Sequence, residues 1–179
     1  MTALILIDLQ KAIDDPSWGT RDHNLAAEAN AARLLGSWRA RGWPIFHVCH
    51  DSRFTTSTYR PGQPGNDLKP ETAALPGETI VPKQTCSTFI GTDLEKLLRD
   101  RGCGVLVICG VITNNSVEAT VRNAGDLGFE VRLAEDACFT FGRRDWNGVW
   151  RTAAEVHALS LANLHGEYCQ VTTTDEILA

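Results

Sequence analysis

Three residues of this chain have the types and settings that could do chemistry. Asp8 follows the apolar run at residues 3–7, Lys83 closes a short β-type stretch at 79–83, and Ser116 ends the polar run Thr113-Asn114-Asn115-Ser116 after the apolar run 104–111. A carboxylate can take or give a proton, and an ammonium can hold a neighbouring charge in place. A hydroxyl at a helix start can bind a polar group beside the helix N–H groups. Each residue also has an ordinary structural role, since Asp and Ser cap helices and most lysines are solvated. Chemistry is favoured because all three fall on one rim, at or just beyond the ends of strands.

The elements that must position them alternate between strand and helix. Residues 3–7 read as a strand buried on both faces, and an Ala-rich segment over 25–41 has Leu34, Leu35 and Trp38 at helical spacing before Gly42. Strands follow at 44–50, 79–83 and 104–111. The long stretch 51–76, rich in Pro, Gly, Ser and Thr, carries no period and reads as an irregular excursion. Thr92 with Glu95 has capping-box spacing and opens a helix closed by Gly102. A helix from the cap formers at 113–116 runs to Gly128, a fifth strand covers 129–134, and 135–149 reads as a second irregular stretch. A helix at 152–164 and a sixth strand at 167–173 complete the pattern, with Thr174 capping a short final helix. Such alternation predicts an α/β fold: one domain over residues 1–179, three α/β/α layers and a six-stranded, mainly parallel sheet. In open sheets of this kind ligands bind beyond the carboxyl ends of the strands.

Composition narrows the function classes. Hydrophobic residues make 43% and charged ones 22%, which excludes a disordered tail, a collagen-like repeat and a multispan membrane protein. Seventeen Lys+Arg against 22 Asp+Glu leave a net charge of −5, so there is no general basic field for nucleic acid. The first residues lack a basic, then apolar, leader pattern, and no apolar stretch approaches the ~20 residues of a membrane helix. The cysteines (Cys49, Cys86, Cys103, Cys109, Cys138, Cys169) are scattered without a CxxC pair and read as reduced thiols. The expected setting is the cytoplasm.

The segments around the three residues resemble those of a known family. Ile5-Leu6-Ile7-Asp8-Leu9-Gln10, Lys83 with Ser87-Thr88-Phe89, and Gly110-Val111-Ile112-Thr113-Asn114-Asn115-Ser116-Val117 are similar to signature segments of the isochorismatase-like hydrolases. That superfamily includes nicotinamidases, carbamoylsarcosine amidases and other cysteine hydrolases. The likeness extends through Glu118-Ala119-Thr120-Val121-Arg122, Asp126-Leu127-Gly128-Phe129, Glu135-Asp136-Ala137 and Glu155-Val156-His157-Ala158 to Leu164-His165-Gly166-Glu167.

The resemblance implies an Asp-Lys-Cys triad in which Asp8 and Lys83 take the first two roles and position 116 the third, where this chain has serine. It also implies a cis peptide at Val111-Ile112, with the N–H groups of Ile112 and Ser116 as an oxyanion hole. The family's thiol, with an ordinary pKa of about 8.5, is within reach of a buried carboxylate, whereas a serine hydroxyl normally needs a histidine-type base. His23, His47, His50, His157 and His165 are present, but nothing in the sequence puts one beside Ser116. Three readings of Ser116 stand: an engineered Cys→Ser change, favoured by the otherwise intact motif; a natural serine in an enzyme that protonates a vinyl ether with Asp8; and a non-catalytic, small-molecule-binding relative.

The expected substrate is a small, uncharged or weakly charged amide-like molecule. Candidates to contact it are Gln10, Trp18, Asn115, Phe141, Trp146 and Trp150, with Arg53, Tyr59 and Phe139 in the same irregular stretches. His47, His50 and Asp51 resemble part of a nicotinamidase metal set, but Ser52-Arg53-Phe54 follows without the expected histidine, so no metal is expected. The Rossmann glycine fingerprint and the Walker A motif are absent, so no cofactor is expected either. The resemblance further implies a homodimer or homotetramer whose partner subunit helps close the pocket.

Overall fold

Buried apolar runs become the centre of a single sheet. In the computed structural model, which describes residues 1–179, strand β1 (Thr2–Ile7) is buried from Ala3 onward. It pairs in parallel with β2 (Ile45–His50) on one side and with a later strand on the other. Helix α1 (Ala27–Arg41) lies between β1 and β2 in the chain. It buries Ala31, Leu34, Leu35 and Trp38 and ends on Gly42 in the left-handed conformation. Next come β3 (Thr79–Lys83), α2 (Leu94–Asp100), β4 (Val105–Val111), α3 (Glu118–Asp126) and β5 (Glu130–Phe139). A two-stranded hairpin, β6 (Arg143–Arg144) with β7 (Trp150–Arg151), precedes α4 (Ala153–Ala162), β8 (Gln170–Thr172) and α5 (Thr174–Leu178).

The main sheet has the order β3-β2-β1-β4-β5-β8, and every pairing in it is parallel. Helices cover both faces, with α1 and α5 packed together on one of them. The order runs outward from β1 to β3 and then resumes on the far side with β4. The crevice beyond the ends of β1 and β4 is therefore the switch point where such folds bind ligands. Registers Ile7↔Val48, Ile7↔Gly110 and His50↔Lys83 align the carboxyl ends of these four strands. No helix is long and apolar enough to cross a membrane.

Several local expectations change. β5 runs on to Phe139 through residues expected to be irregular, after a register shift between Ile108 and Gly110 of β4. Glu135 and Asp136 break the apolar pattern there, but Asp136 is absorbed by the fold. Its Oδ1 accepts hydrogen bonds from Thr174 N (2.7 Å) and Thr174 Oγ1 (2.8 Å). Thr174 is accordingly the first residue of α5, and Thr173 is its cap in a capping box with Glu176. No capping box forms at Thr92 and Glu95. The cap of α2 is Asp93, without a side-chain bond, and Thr92 Oγ1 instead donates to Thr88 O. The expected sixth strand shortens to Gln170–Thr172.

The excursion 51–76 contains two 3-10 turns, Pro64–Asn66 and Pro70–Thr72. Buried Lys69 ties it to the body by donating to Asp14 (2.7 Å) and Glu28 (3.0 Å).

Candidate functional site

Each strand end presents its polar residue through a specific local geometry. Asp8 leaves β1 with φ +53°, in the left-handed region that Asp tolerates better than most residues. Its N–H donates to Val48 O (3.0 Å), and its carbonyl accepts from the Tyr59 hydroxyl (3.2 Å). Lys83 is the last residue of β3, and its side chain is fully buried. Ser116 sits in a π-type turn, Thr113–Val117, that joins β4 to α3. The Val111–Ile112 peptide before that turn is cis, and the Ile112 N–H donates to no backbone acceptor.

Residues 8, 83 and 116 meet. Lys83 Nζ donates to Asp8 Oδ2 (2.7 Å), to Ser116 Oγ (3.2 Å) and to Thr85 O (3.1 Å), which uses all three ammonium hydrogens. Relative exposures are 4% for Asp8, 2% for Lys83 and 8% for Ser116, so water screens these charges weakly. Asp8 Oδ1 is buried with no hydrogen-bond partner. Burial pushes the Asp8 carboxyl above the ordinary carboxylate range, and the Lys83 ammonium and the Ser116 hydroxyl pull it back only in part.

The group opens into a cavity of about 550 Å³ with Trp18, Tyr59 and Ile112 among its apolar walls. Asn115 reaches it with a side-chain amide that bonds to nothing else in the chain, and exposed Arg53 stands at it as well. His50, which no sequence pattern places near Ser116, also lines it. Its position at the end of β2, level with Lys83, is the signal that could have found it. Desolvation lowers the His50 pKa, and Lys83 adds to the effect, so the imidazole is neutral at pH 7.

Other candidates lie elsewhere. Gln10 is fully buried and committed to structure: its Nε2 donates to His50 O (3.2 Å) and Asn66 O (2.8 Å), and its Oε1 accepts from His50 N (2.7 Å). Phe141 stands behind Trp18, stacked at 6.1 Å, and supports the wall without lining the cavity. Trp146 and Trp150 belong to the β6–β7 hairpin. Trp146 is 100% exposed beside a separate cleft and Trp150 is 55% exposed, so neither faces Asp8. An aperiodic stretch hides the direction of its side chains, and that is why the sequence alone suggests both as site residues. His47 is buried against Glu78 (2.8 Å) and does not join His50 and Asp51. Burial raises the thiols of Cys49 and Cys109 to about 12, so neither offers a ready thiolate.

Comparison with known proteins agrees with this architecture. The chain matches the isochorismatase domain model over residues 2–176. An isochorismatase-family hydrolase from Chromobacterium violaceum superposes with a TM-score of 0.96 at 60% identity, covering 99% of this chain and 91% of that one. The uncharacterized isochorismatase family protein YrdC of Bacillus subtilis is 39% identical over 176 residues, 98% of this chain and 94% of its own length. The ureidoacrylate amidohydrolase RutB of an Enterobacter species is 31% identical over 137 residues, 65% of this chain and 59% of that enzyme. A domain match from the first strand to the last helix, with a superposition over nearly the whole chain, makes this protein a member of the isochorismatase family of hydrolases.

Proposed function

We propose that the cavity hydrolyses a C–N bond of a small amide-type substrate through a nucleophile at position 116. The observation that carries this reading is the Lys83 ammonium bridging Asp8 Oδ2 and Ser116 Oγ at 2.7 and 3.2 Å. Because Lys83 already donates to Ser116 Oγ, the hydroxyl's own hydrogen is left for Asp8, whose Oδ1 has no other donor. Asp8 takes that proton as the oxygen attacks the substrate carbonyl, and the Ile112 N–H, with that of Ser116, stabilises the developing oxyanion. Collapse breaks the C–N bond, the leaving nitrogen takes the proton from Asp8, and water then cleaves the acyl ester. The amidohydrolase activity named for RutB supports an amide-type bond. Serine is the weak element: its hydroxyl is much less acidic than a thiol, and a carboxylate is a poor base for it.

A second reading draws on the raised Asp8 carboxyl. A carboxyl that keeps its proton can protonate a vinyl ether, and Ser116 is then a bystander.

The test compares the unmodified protein with Ser116→Cys and Asp8→Asn on small amides, carbamoyl compounds and isochorismate. Ser116→Cys is expected to raise amide hydrolysis by about 100-fold or more, and Asp8→Asn to lower it by about 10²–10⁴. Equal activity of the unmodified and Ser116→Cys proteins on the vinyl ether supports the second reading. Absence of turnover on every substrate in both proteins leaves a binding module and overturns both.

A further inference from the structure

The turn that carries Ser116 is gripped from behind by α4. His157, 2% exposed, places Nδ1 2.9 Å from Thr113 Oγ1, and Ser160 Oγ, one turn further along, lies 3.3 Å from Thr113 O. The single Ser160 hydrogen goes mainly to Glu118 Oε2 (2.6 Å) at the start of α3, so Thr113 O and Glu118 share one donor. Thr113 directly follows Ile112, a cavity residue whose N–H donates to no backbone acceptor, so α4 contacts both the hydroxyl and the carbonyl of the residue next to that donor.

The surroundings fix the imidazole's tautomer. His157 Nε2 lies 3.4 Å from both Glu135 Oε2 and Asn24 Nδ2. Asn24 has no hydrogen left for it, because its amide donates to Glu135 O and Cys138 O at 2.8 Å each. Nε2 therefore carries the proton and gives it to the Glu135 carboxylate, and Nδ1 is the acceptor of the Thr113 hydroxyl. The other titratable group against the ring is His23, with centroids 5.1 Å apart. Desolvation lowers the His157 pKa, with His23 adding to the effect against Glu135, so the ring is neutral at pH 7.

We propose that His157 is a positioning residue for the reaction: the chain Glu135–His157–Thr113 locks the turn that points the Ile112 N–H and Ser116 into the cavity. This rests on the amide-hydrolase reading for its effect on rate, but its geometry is tested independently of turnover. A carboxylate that orients an imidazole, which in turn orients a third group, is the arrangement by which buried histidines acquire one fixed tautomer. Here the third group is a backbone turn.

Two measurements test it. In long-range ¹H–¹⁵N spectra of the unmodified protein near pH 7.5, His157 should show the Nε2–H tautomer. Thr113→Val should shift its Nδ1 resonance and move the amide resonances of Ile112 and Ser116, and Glu135→Ala should abolish the tautomer preference. In the Ser116→Cys background, Thr113→Val and Glu135→Ala should lower kcat about 10–100-fold with KM within about twofold, and Thr113→Ser should restore it. An Nδ1–H tautomer, or a Thr113→Val protein with unmoved Ile112 and Ser116 amides, overturns the proposal. So does an unchanged kcat in Thr113→Val. If no variant hydrolyses an amide, the proposed reaction fails, and the spectra still decide the role of His157.

Discussion

At the scale of single residues, the two readings of Asp8 give opposite pH profiles. Its carboxyl is held above the ordinary value of 3.8. As a general base it works ionised, so kcat/KM should be full above that raised pKa and fall as the pH drops through it. As a general acid it works protonated, and activity should instead fall as the pH rises through the same midpoint. A pH profile of the Ser116→Cys protein with an amide, and of the unmodified protein with a vinyl ether, checks both. For the amide, an acid limb at or below pH 3.8 would contradict the burial assigned to Asp8. The meeting of Asp8, Lys83 and Ser116 is legible in the sequence because each ends or follows an apolar strand, and the parallel sheet brings such ends together. The role of Gln10 is not, because its amide is consumed by His50 and Asn66, partners 40 and 56 residues away. Trp18 and Phe141 show the same limit: both are loop aromatics, yet one faces the cavity and the other its back.

At the scale of elements, β1 and β4 approach so closely at the rim that only glycine fits between them. Gly110 has φ +126°, and a Cβ there would run into the backbone N and O of Ile7, the residue before Asp8. Gly110→Ala must therefore spread the two strands that carry Asp8 and Ser116. It should cost about 2–4 kcal/mol of stability in a urea titration and lower activity further than the stability loss explains. A variant as stable and active as the parent would mean that the strands can part freely. The strands with continuous apolar runs are readable from sequence, as is the Ala-rich α1. The end of β5 is not, because Glu135 and Asp136 look like loop residues until Thr174 and His157 arrive from the far end of the chain. The empty capping box at Thr92 shows the converse. The spacing is right, but Thr92 Oγ1 accepts from Leu94 N (3.3 Å), not from Glu95 N, while its hydrogen goes to Thr88 O.

At the scale of the molecule, strand–helix alternation dictates a parallel three-layer fold, while the strand order comes only with the structure. That order decides how robust the site is. Asp8 and Ser116 hang from the central pair of the sheet, but Lys83 hangs from β3, one of its two edge strands. β3 has one neighbour, an outward Ile80 at 54% exposure, and a proline, Pro82, that suits only a margin. Margins open at lower free energy than centres. Urea should therefore inactivate the enzyme at a lower concentration than the one that melts its far-UV circular dichroism, and coincident midpoints would refute this. The ammonium on which the proposed chemistry depends is moored at a fraying margin, so inactivation would herald denaturation.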